Sequence, residues 1–467
     1  MYNINMLCFH KLDKKDIKSI RPYFGSSERV CTKAIGVMYM WSDYFGMEVA
    51  FYDGGVIIKD ALFGEEMFMA PRGKNAVEGL RLIEEYLKTT GGDLVFNSVD
   101  DDDLKLLSSR YPVIEIKSHR DYADYLYNVE DLATYRGKRY HGQKNHKNRF
   151  LKTYPNYEFL PFGKGDLPAV YDFLEEHKAL KPRSKEELIE YGCCRRLMDA
   201  MDELDLLTAM IRVDGKIVAI SVGEVLNDTL IIHIEKALPV YSGVYPTMCS
   251  LFAEYYGKGL NYINREDDAG DPGLRTSKMQ YQPVALVDKK RAVCHLSRPL
   301  SLPTLFTDRL VIDRFAHTDM EEYAALATDE ERNRYWGYDY KADLGEDAAD
   351  AAHFEKVLTE DEGRGVCYSY KISACDGEFV GEAVIYNFRL DESAELGLRV
   401  KGAAANKGYG REAYKAVADA ALKTLPKLHA RCFKVNSPSR KMILAAGFKE
   451  VREDDQMLYF ERAAANK

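Results

Sequence analysis

From Ala394 to Thr424 a strand-like run passes through the turn Asn406-Lys407-Gly408-Tyr409-Gly410-Arg411 and continues as a long helical stretch from Glu412. This order commits the region to an α/β unit, because a helix that follows its strand so closely must fold back on the same sheet to bury its apolar stripe. A glycine-rich turn at a helix start also leaves backbone N–H groups unpaired at the positive end of the helix dipole, which makes it an anion site. The glycines have a mechanical role: a Cβ at Gly408 or Gly410 would hold a phosphate away from the amides. Pyrophosphate is the natural guest.

A similar alternation recurs upstream. Asp13 to Tyr23 and Asn75 to Thr89 read as helices, and Val49 to Lys59 as two strands around Asp53-Gly54-Gly55. Next come helices Leu167 to Lys178 and Lys185 to Leu204, then strands Leu207 to Val213, Ile217 to Val225 and Thr229 to Ala237. The run Ser297 to Pro303 carries two prolines and no helical period, and reads as a linker. A third passage follows it: strand Arg309 to Phe315, a helix from about Asp319, a hairpin of Val366 to Ser373 and Phe379 to Phe388, and the strand Ala394 to Val400. A chain of 467 residues, 46% apolar, has the length for more than one domain and the material for several cores.

The net charge of -9 argues against general adhesion to nucleic acid or to an anionic membrane, so local patches must be judged separately. In the most basic stretch, Arg136, Lys138, Arg139, Lys144, Lys147, Arg149 and Lys152 interleave with Tyr135, Tyr140 and Tyr154. It reads either as a contact for a tRNA or CoA phosphate, over 136–152, or as a solvated helix joining two modules. The nine cysteines form no CxxC pair and no ligand spacing with histidine, which points to reduced thiols in a cytoplasm, without disulfides or structural zinc. No stretch reaches the ~20 apolar residues of a spanning helix, and Met1 to Asp16 lacks the apolar region of a signal peptide, so no membrane insertion is expected.

Five passages in one order, Thr307-Asp308-Arg309-Leu310, Val380-Gly381-Glu382, Glu395-Leu396-Gly397-Leu398, Lys407 to Ala413, and Asn436-Ser437-Pro438-Ser439 with Gly447-Phe448, resemble the GNAT superfamily of N-acetyltransferases. Within it the chain is most similar to the branch that acetylates ribosomal-protein N-termini. The resemblance covers about Pro303 to Arg462 and implies acetyl-CoA as cofactor. It implies that the backbones of Leu398 and Val400 bond the pantetheine arm, that Asn406, Lys407, Gly408, Tyr409, Gly410 and Arg411 cradle the pyrophosphate, and that Asn436, with Ser439, lies further along the cofactor. Two positions depart from the family pattern. Ala405 stands where Gln or Arg is usual, costing a side chain but keeping a backbone donor, and Ile443 stands where many members carry a tyrosine as general acid.

An amine attacks a thioester only when neutral, so a base is needed. Glu395 and Glu382 are the candidates. The period of two along Ala394 to Val400 puts Glu395, Gly397 and Arg399 on one face and Leu396, Leu398 and Val400 on the other, and Glu395 is preferred. A solvated strand-end charge is the alternative for either.

A second resemblance rests on Tyr135 to Tyr140 with Lys144 to Phe150, and on Tyr262 to Lys278. These look like the uncharacterised family related to the catalytic domain of phosphatidylglycerol lysyltransferases, which is similar in architecture to two tandem GNAT-like folds. In the second passage Asn264, Glu266, Asp267, Arg275 and Lys278 mix both charges beside Gly270 and Gly273, a composition suited to holding an amino acid by both ends, or else to a salt-bridged loop. Glu235-Lys236 and Tyr241 to Tyr245 precede a helix much as the phosphate turn does, with only Gly243 present, so that site is expected to be degenerate.

The expected fold is therefore α/β (α+β) with three GNAT-like modules. Two in tandem, about 1–130 and 155–296, form an N-terminal unit over 1–296, and one C-terminal acetyltransferase domain spans 303–462. The expected function is acetyl transfer from acetyl-CoA to an amine, either a protein N-terminus or a small molecule, beside an acyl- or aminoacyl-transferase-like N-terminal unit. Two rivals stay open: an aminoacyl-tRNA-dependent transferase centred on the N-terminal unit, and a non-catalytic substrate-binding module there.

Overall fold

In the computed structural model, which describes residues 7–25, 29–61, 65–336 and 350–465, the apolar alternation closes into three mixed sheets with helices packed on them. The architecture is α/β, in two compact units. The first holds most of the chain up to Val293, and the second holds Cys294 onward with Leu87–Asp93 and Ser108–Glu115. Among the described residues no helix is long and apolar enough to cross a membrane.

Each sheet contains a parallel strand pair among antiparallel ones. There a strand runs into a loop, a helix, and a second strand lying parallel to the first. In the first and second sheets these crossovers are Met67–Phe68, Ala76–Thr90, Val95–Val99, and Thr229–Ala237, Val244–Tyr256, Tyr262–Asn264. In the second unit the crossover is Ala394–Val400, Tyr409–Ala421, Lys427–Phe433. The parallel contact is always brief: Phe68 with Phe96; Thr229, Leu230 and Ile231 with Tyr262, Ile263 and Asn264; Ala394 and Glu395 with Leu428 and His429.

The order of elements expected from the sequence holds, with shifted limits. The second sheet takes in Asp124–Asn128, ahead of the boundary near 155, and the first recovers Lys290–His295 from the end of the second passage. The helix after the glycine turn starts at Tyr409 rather than Glu412, so Tyr409, Gly410 and Arg411 belong to its first turn. Ser297 to Pro303 is no free linker: Leu300 and Leu302 are buried in the core of the second unit, and Leu300 N–H donates to the Tyr368 hydroxyl at 3.0 Å. Two prolines stop a helix but do not stop apolar side chains from packing.

The three crossover loops differ in what lies on them. In the first, Arg72-Gly73 pairs with Val56 and Gly55, and Lys74 N–H donates to Gly54 at 3.0 Å, so the loop is pinned to a hairpin. In the second, the helix His141–Thr153 covers the helix start. Gly243 sits at φ +88°, and a Cβ there would come within 2.1 Å of the His146 carbonyl oxygen. In the third, Gly408 takes the same left-handed shape at φ +83°, and a Cβ would meet only Arg309 Nη2 at 3.2 Å. The basic stretch is thus a helix laid over a degenerate loop. Tyr135 and Tyr140 are wholly buried in the core beneath it and offer no stacking surface to a nucleic acid.

Gly243→Ala is expected to cost well over ~2 kcal/mol, combining backbone strain with a clash against main chain. Gly408→Ala is expected to cost ~1 kcal/mol, chiefly for the left-handed backbone. Urea unfolding, with Trp41 emission reporting on the first unit and Trp336 emission on the second, checks this order.

Candidate functional site

In the second unit the strands Ala394–Val400 and Lys427–Phe433 part after Glu395 and His429. Along the first strand, backbone groups alternate between its antiparallel neighbour Phe379–Tyr386 and the opening. Lys401 N–H donates to Val380 on the neighbour's side, while the Leu396 carbonyl accepts from the Tyr414 hydroxyl at 2.7 Å on the other side. Leu398 and Val400, in step with Leu396, therefore direct their N–H and C=O groups into the opening, and both residues are partly exposed there.

The opening leads to the glycine turn. Among the described residues the backbone N–H groups from Asn406 through Arg411 find no acceptor, and the first helical bond beyond them is Glu412 N–H to Gly408 at 3.2 Å. Arg309 fixes the turn from outside: it bonds the Lys407 carbonyl at 2.9 Å and Glu412 at 2.6 and 2.7 Å, and lies over the Tyr409 ring. Burial alone would raise the Glu412 carboxyl, but bonds from Thr307 and Arg309 outweigh it and hold it below its ordinary value. Gly410 plays a different part from Gly408. Its missing Cβ would meet Met442 Sδ at 3.3 Å and Val400 Cγ2 at 3.4 Å, so it serves close packing of helix on strand rather than access for a phosphate. Ala405 does not keep a free donor, since its N–H is spent on Gly402 at 3.1 Å. Asn436 caps the helix Ser437–Ala445 through a 3.3 Å bond from Ser439 N–H, and Ile443 is core.

The two candidate bases lie on the opposite face of the sheet, and each is held in the same way. Glu382 accepts from the Tyr323 hydroxyl at 3.0 Å and from Arg399 Nε at 2.8 Å. Glu395 accepts from the Tyr386 hydroxyl at 2.6 Å and from Arg431 Nε at 2.9 Å. Both carboxylates are almost fully buried, so neither is a solvated strand-end charge. Cross-strand register places Tyr386 beside Glu395, Val384 beside Gly397 and Glu382 beside Arg399, so Gly397 lies between the two trios. Trp336 closes over it.

In the first unit, four of the five cleft candidates converge. Asn264 donates to Asp124 at 2.8 Å, Lys289 bridges Asp124 and Asp267 at 2.7 and 2.5 Å, and Lys278 donates its ammonium to the carbonyls of Arg265, Glu266 and Asp267. Arg275 stands apart, clamped on Asp268 and Asp121. The sequence reading missed the centre of this network, His233, whose ring lies 3.0 Å from Glu224 and 2.9 Å from Glu266. A single histidine within a strand gave no sign of it. Burial would lower its pKa, but the two carboxylates outweigh that and push it up to about 9. Burial also pushes the Glu266 carboxyl up, so the trio keeps a proton at neutral pH.

The family model of the phosphatidylglycerol lysyltransferase C-terminal region matches residues 25–292, more than half of the chain. The chain belongs to that family. Residues 309–449 match the family model of the acetyltransferase (GNAT) domain, so the C-terminal unit carries a GNAT domain. A conserved protein of unknown function from Bacteroides thetaiotaomicron VPI-5482 is 28% identical; the match covers 62% of this chain and 100% of that one, at a TM-score of 0.56. An uncharacterized protein of Mycoplasmoides gallisepticum is 25% identical over 195 residues, 40% of this chain and 60% of that curated relative's length. RimJ of Mycobacterium smegmatis, solved in complex with CoA-disulfide, matches at 20% identity over 36% of this chain and 88% of its own, with a TM-score of 0.30.

Because the pKa of His233 is higher folded than unfolded, its contribution is full below pH ~6.5 and fades as pH rises through about 9. The first unit is therefore expected to lose ~2 kcal/mol between pH 7 and pH 10, and His233→Gln to flatten that slope. Urea midpoints read from Trp41 emission in a Trp336→Phe background check it.

Proposed function

We propose that the C-terminal unit transfers acetyl from acetyl-CoA to a primary amine, a peptide N-terminus in preference to a small molecule, and that it does so in the cytoplasm. The observation that carries this reading is the run of unpaired N–H groups from Asn406 to Arg411 at the mouth of the parted strands. These groups suit a pyrophosphate, and the exposed cations Lys407 and Arg411 beside them have no carboxylate partner among the described residues. Acetyl-CoA supplies an acyl thioester, whose carbonyl carbon accepts the amine. The backbones of Leu398 and Val400 would hold the arm, as a missing strand would.

Glu395 is our candidate base, acting through Tyr386. Arg431 already bonds this carboxylate from one side. The Tyr386 hydroxyl already donates to it, so as the tyrosyl proton moves to Glu395 the phenolic oxygen can take the proton of the amine. Glu382 is a positioning group that holds Arg399. A departing thiol with pKa near ~8.5 needs no strong acid, which fits an apolar Ile443. The first unit, with its crossover loops pinned or covered, we read as a lysyltransferase-like module that takes no CoA thioester. Its candidates Asn264, Glu266, Asp267, Arg275 and Lys278 would then serve an acyl or amino-acid group or the loop itself. The burial of Tyr135 and Tyr140 weighs against tRNA as its partner.

Calorimetry on the full chain is expected to give one equivalent of acetyl-CoA bound, with binding abolished by Gly408→Val, whose side chain would stand among the amides. No binding to the parent would overturn the reading. Tyr386→Phe and Glu395→Gln are each expected to lower kcat ~10²-fold with acetyl-CoA affinity kept. With a peptide α-amine as acceptor, kcat/KM is expected to rise with pH and level near ~8; a rise continuing toward ~10 would indicate a lysine-like amine instead.

A further inference from the structure

On the face that carries Glu382 and Glu395, a tryptophan lies over a glycine. Gly397 is partly exposed in the middle of a sheet, where the neighbouring strand has already turned away. An added Cβ there would lie 3.0 Å from Val384 Cγ1, 3.4 Å from Trp336 Cη2 and 3.6 Å from Cζ3. The far edge of the indole thus fills the space a side chain would take. Trp336 is not a loosely placed surface ring. The Arg399 guanidinium lies 4.6 Å from the centre of its indole, and Arg399 is itself fixed by Glu382, Asn333 and the face of Tyr323. A cation held by a buried carboxylate on one side and an aromatic face on the other has little freedom, and neither has the ring it carries.

We propose that Trp336, clamped by Arg399 across Gly397, is the specificity-determining residue for the acceptor, and that it limits the first side chain of a peptide amine to a small, uncharged one. This rests on the acetyl-transfer reading above and adds a size and charge limit to it. Size follows from the indole edge. Charge follows from the trios: Glu382 and Glu395 are each matched by one guanidinium, so among the described residues this face has no spare anion for a cationic side chain, and Arg431, about half exposed at the other end, repels one. Register puts the Tyr386–Glu395 pair next to Gly397 on the same face, so an amine bound beside that pair would lie next to the indole.

The experiment uses the full chain, acetyl-CoA, and a panel of tetrapeptide amides differing only in the first residue (Gly, Ala, Ser, Val, Leu, Phe, Lys), with thiol release as the readout. The parent is expected to favour Gly, Ala and Ser. Trp336→Ala is expected to raise kcat/KM for Leu and Phe ~10-fold or more, Trp336→Phe to fall between, and neither to change acetyl-CoA affinity by calorimetry. Because the chain has only two tryptophans, Trp336 can also be read alone in a Trp41→Phe background. Its emission is expected to shift with Ala- and Ser-peptides and not with Leu- or Phe-peptides. If Trp336→Ala and Trp336→Phe keep the parent's order of preference, the size limit is overturned while acetyl transfer stands. If the parent binds acetyl-CoA but acetylates no peptide in the panel, the peptide reading fails and the size limit with it.

Discussion

The separation of two parallel strands after two residues of pairing is the constraint on which the rest of the second unit depends. A backbone N–H or C=O inside a sheet is ordinarily satisfied by the next strand. Where Lys427–Phe433 diverges from Ala394–Val400, those groups on Leu398 and Val400 are left to whatever enters. Continuous pairing would close the opening, cover Gly397 and isolate the glycine turn from the face that carries Glu382 and Glu395. The helix that follows the turn, which packs against the strand through Gly410, and the Arg309 clamp on Glu412 hold the two sides of this gap in place.

The two units handle charge in opposite ways. In the first, buried ions are used up internally: Lys33 with Asp100 and Asp103, His233 with Glu224 and Glu266, Lys289 with Asp124 and Asp267. Such pairs repay their desolvation only when every partner is present, which makes them better at specifying an arrangement than at stabilising it. In the second unit the buried pairs Glu382–Arg399 and Glu395–Arg431 are complete as well, yet the turn beside them leaves donors and cations unspent. That contrast separates a locked framework from a turn whose donors are still free among the described residues.

Much of this was legible in the sequence wherever local chemistry decides the outcome. The strand Ala394–Val400 and its two faces follow from alternation, and the glycine turn at a helix start follows from two residues without Cβ atoms placed just ahead of a helical run. Packing over long sequence distances was not legible. Ser297 to Pro303 has the composition of a linker, and only the core of the second unit reveals why it carries Leu300 and Leu302. The tyrosines at 135 and 140 interleave with cations as a nucleic-acid surface would, but a ring's direction depends on which helix lies above it. Trp336 passed unnoticed because its partners, Arg399 and Gly397, are some sixty residues away and carry no shared pattern.

The helix His141–Thr153 over Gly243 has a consequence for how the repeated modules can change over generations. Around Gly408, under the proposed acetyl-CoA reading, drift would be judged by a ligand, which demands particular donors at particular places. Around Gly243 it is judged by the fit of one helix against another, a matter of volume that many apolar exchanges meet equally well. Homologous positions in the two crossovers should therefore age at different rates, the covered copy wandering in sequence while keeping its shape, and the glycine itself, trapped under the His146 carbonyl, standing still.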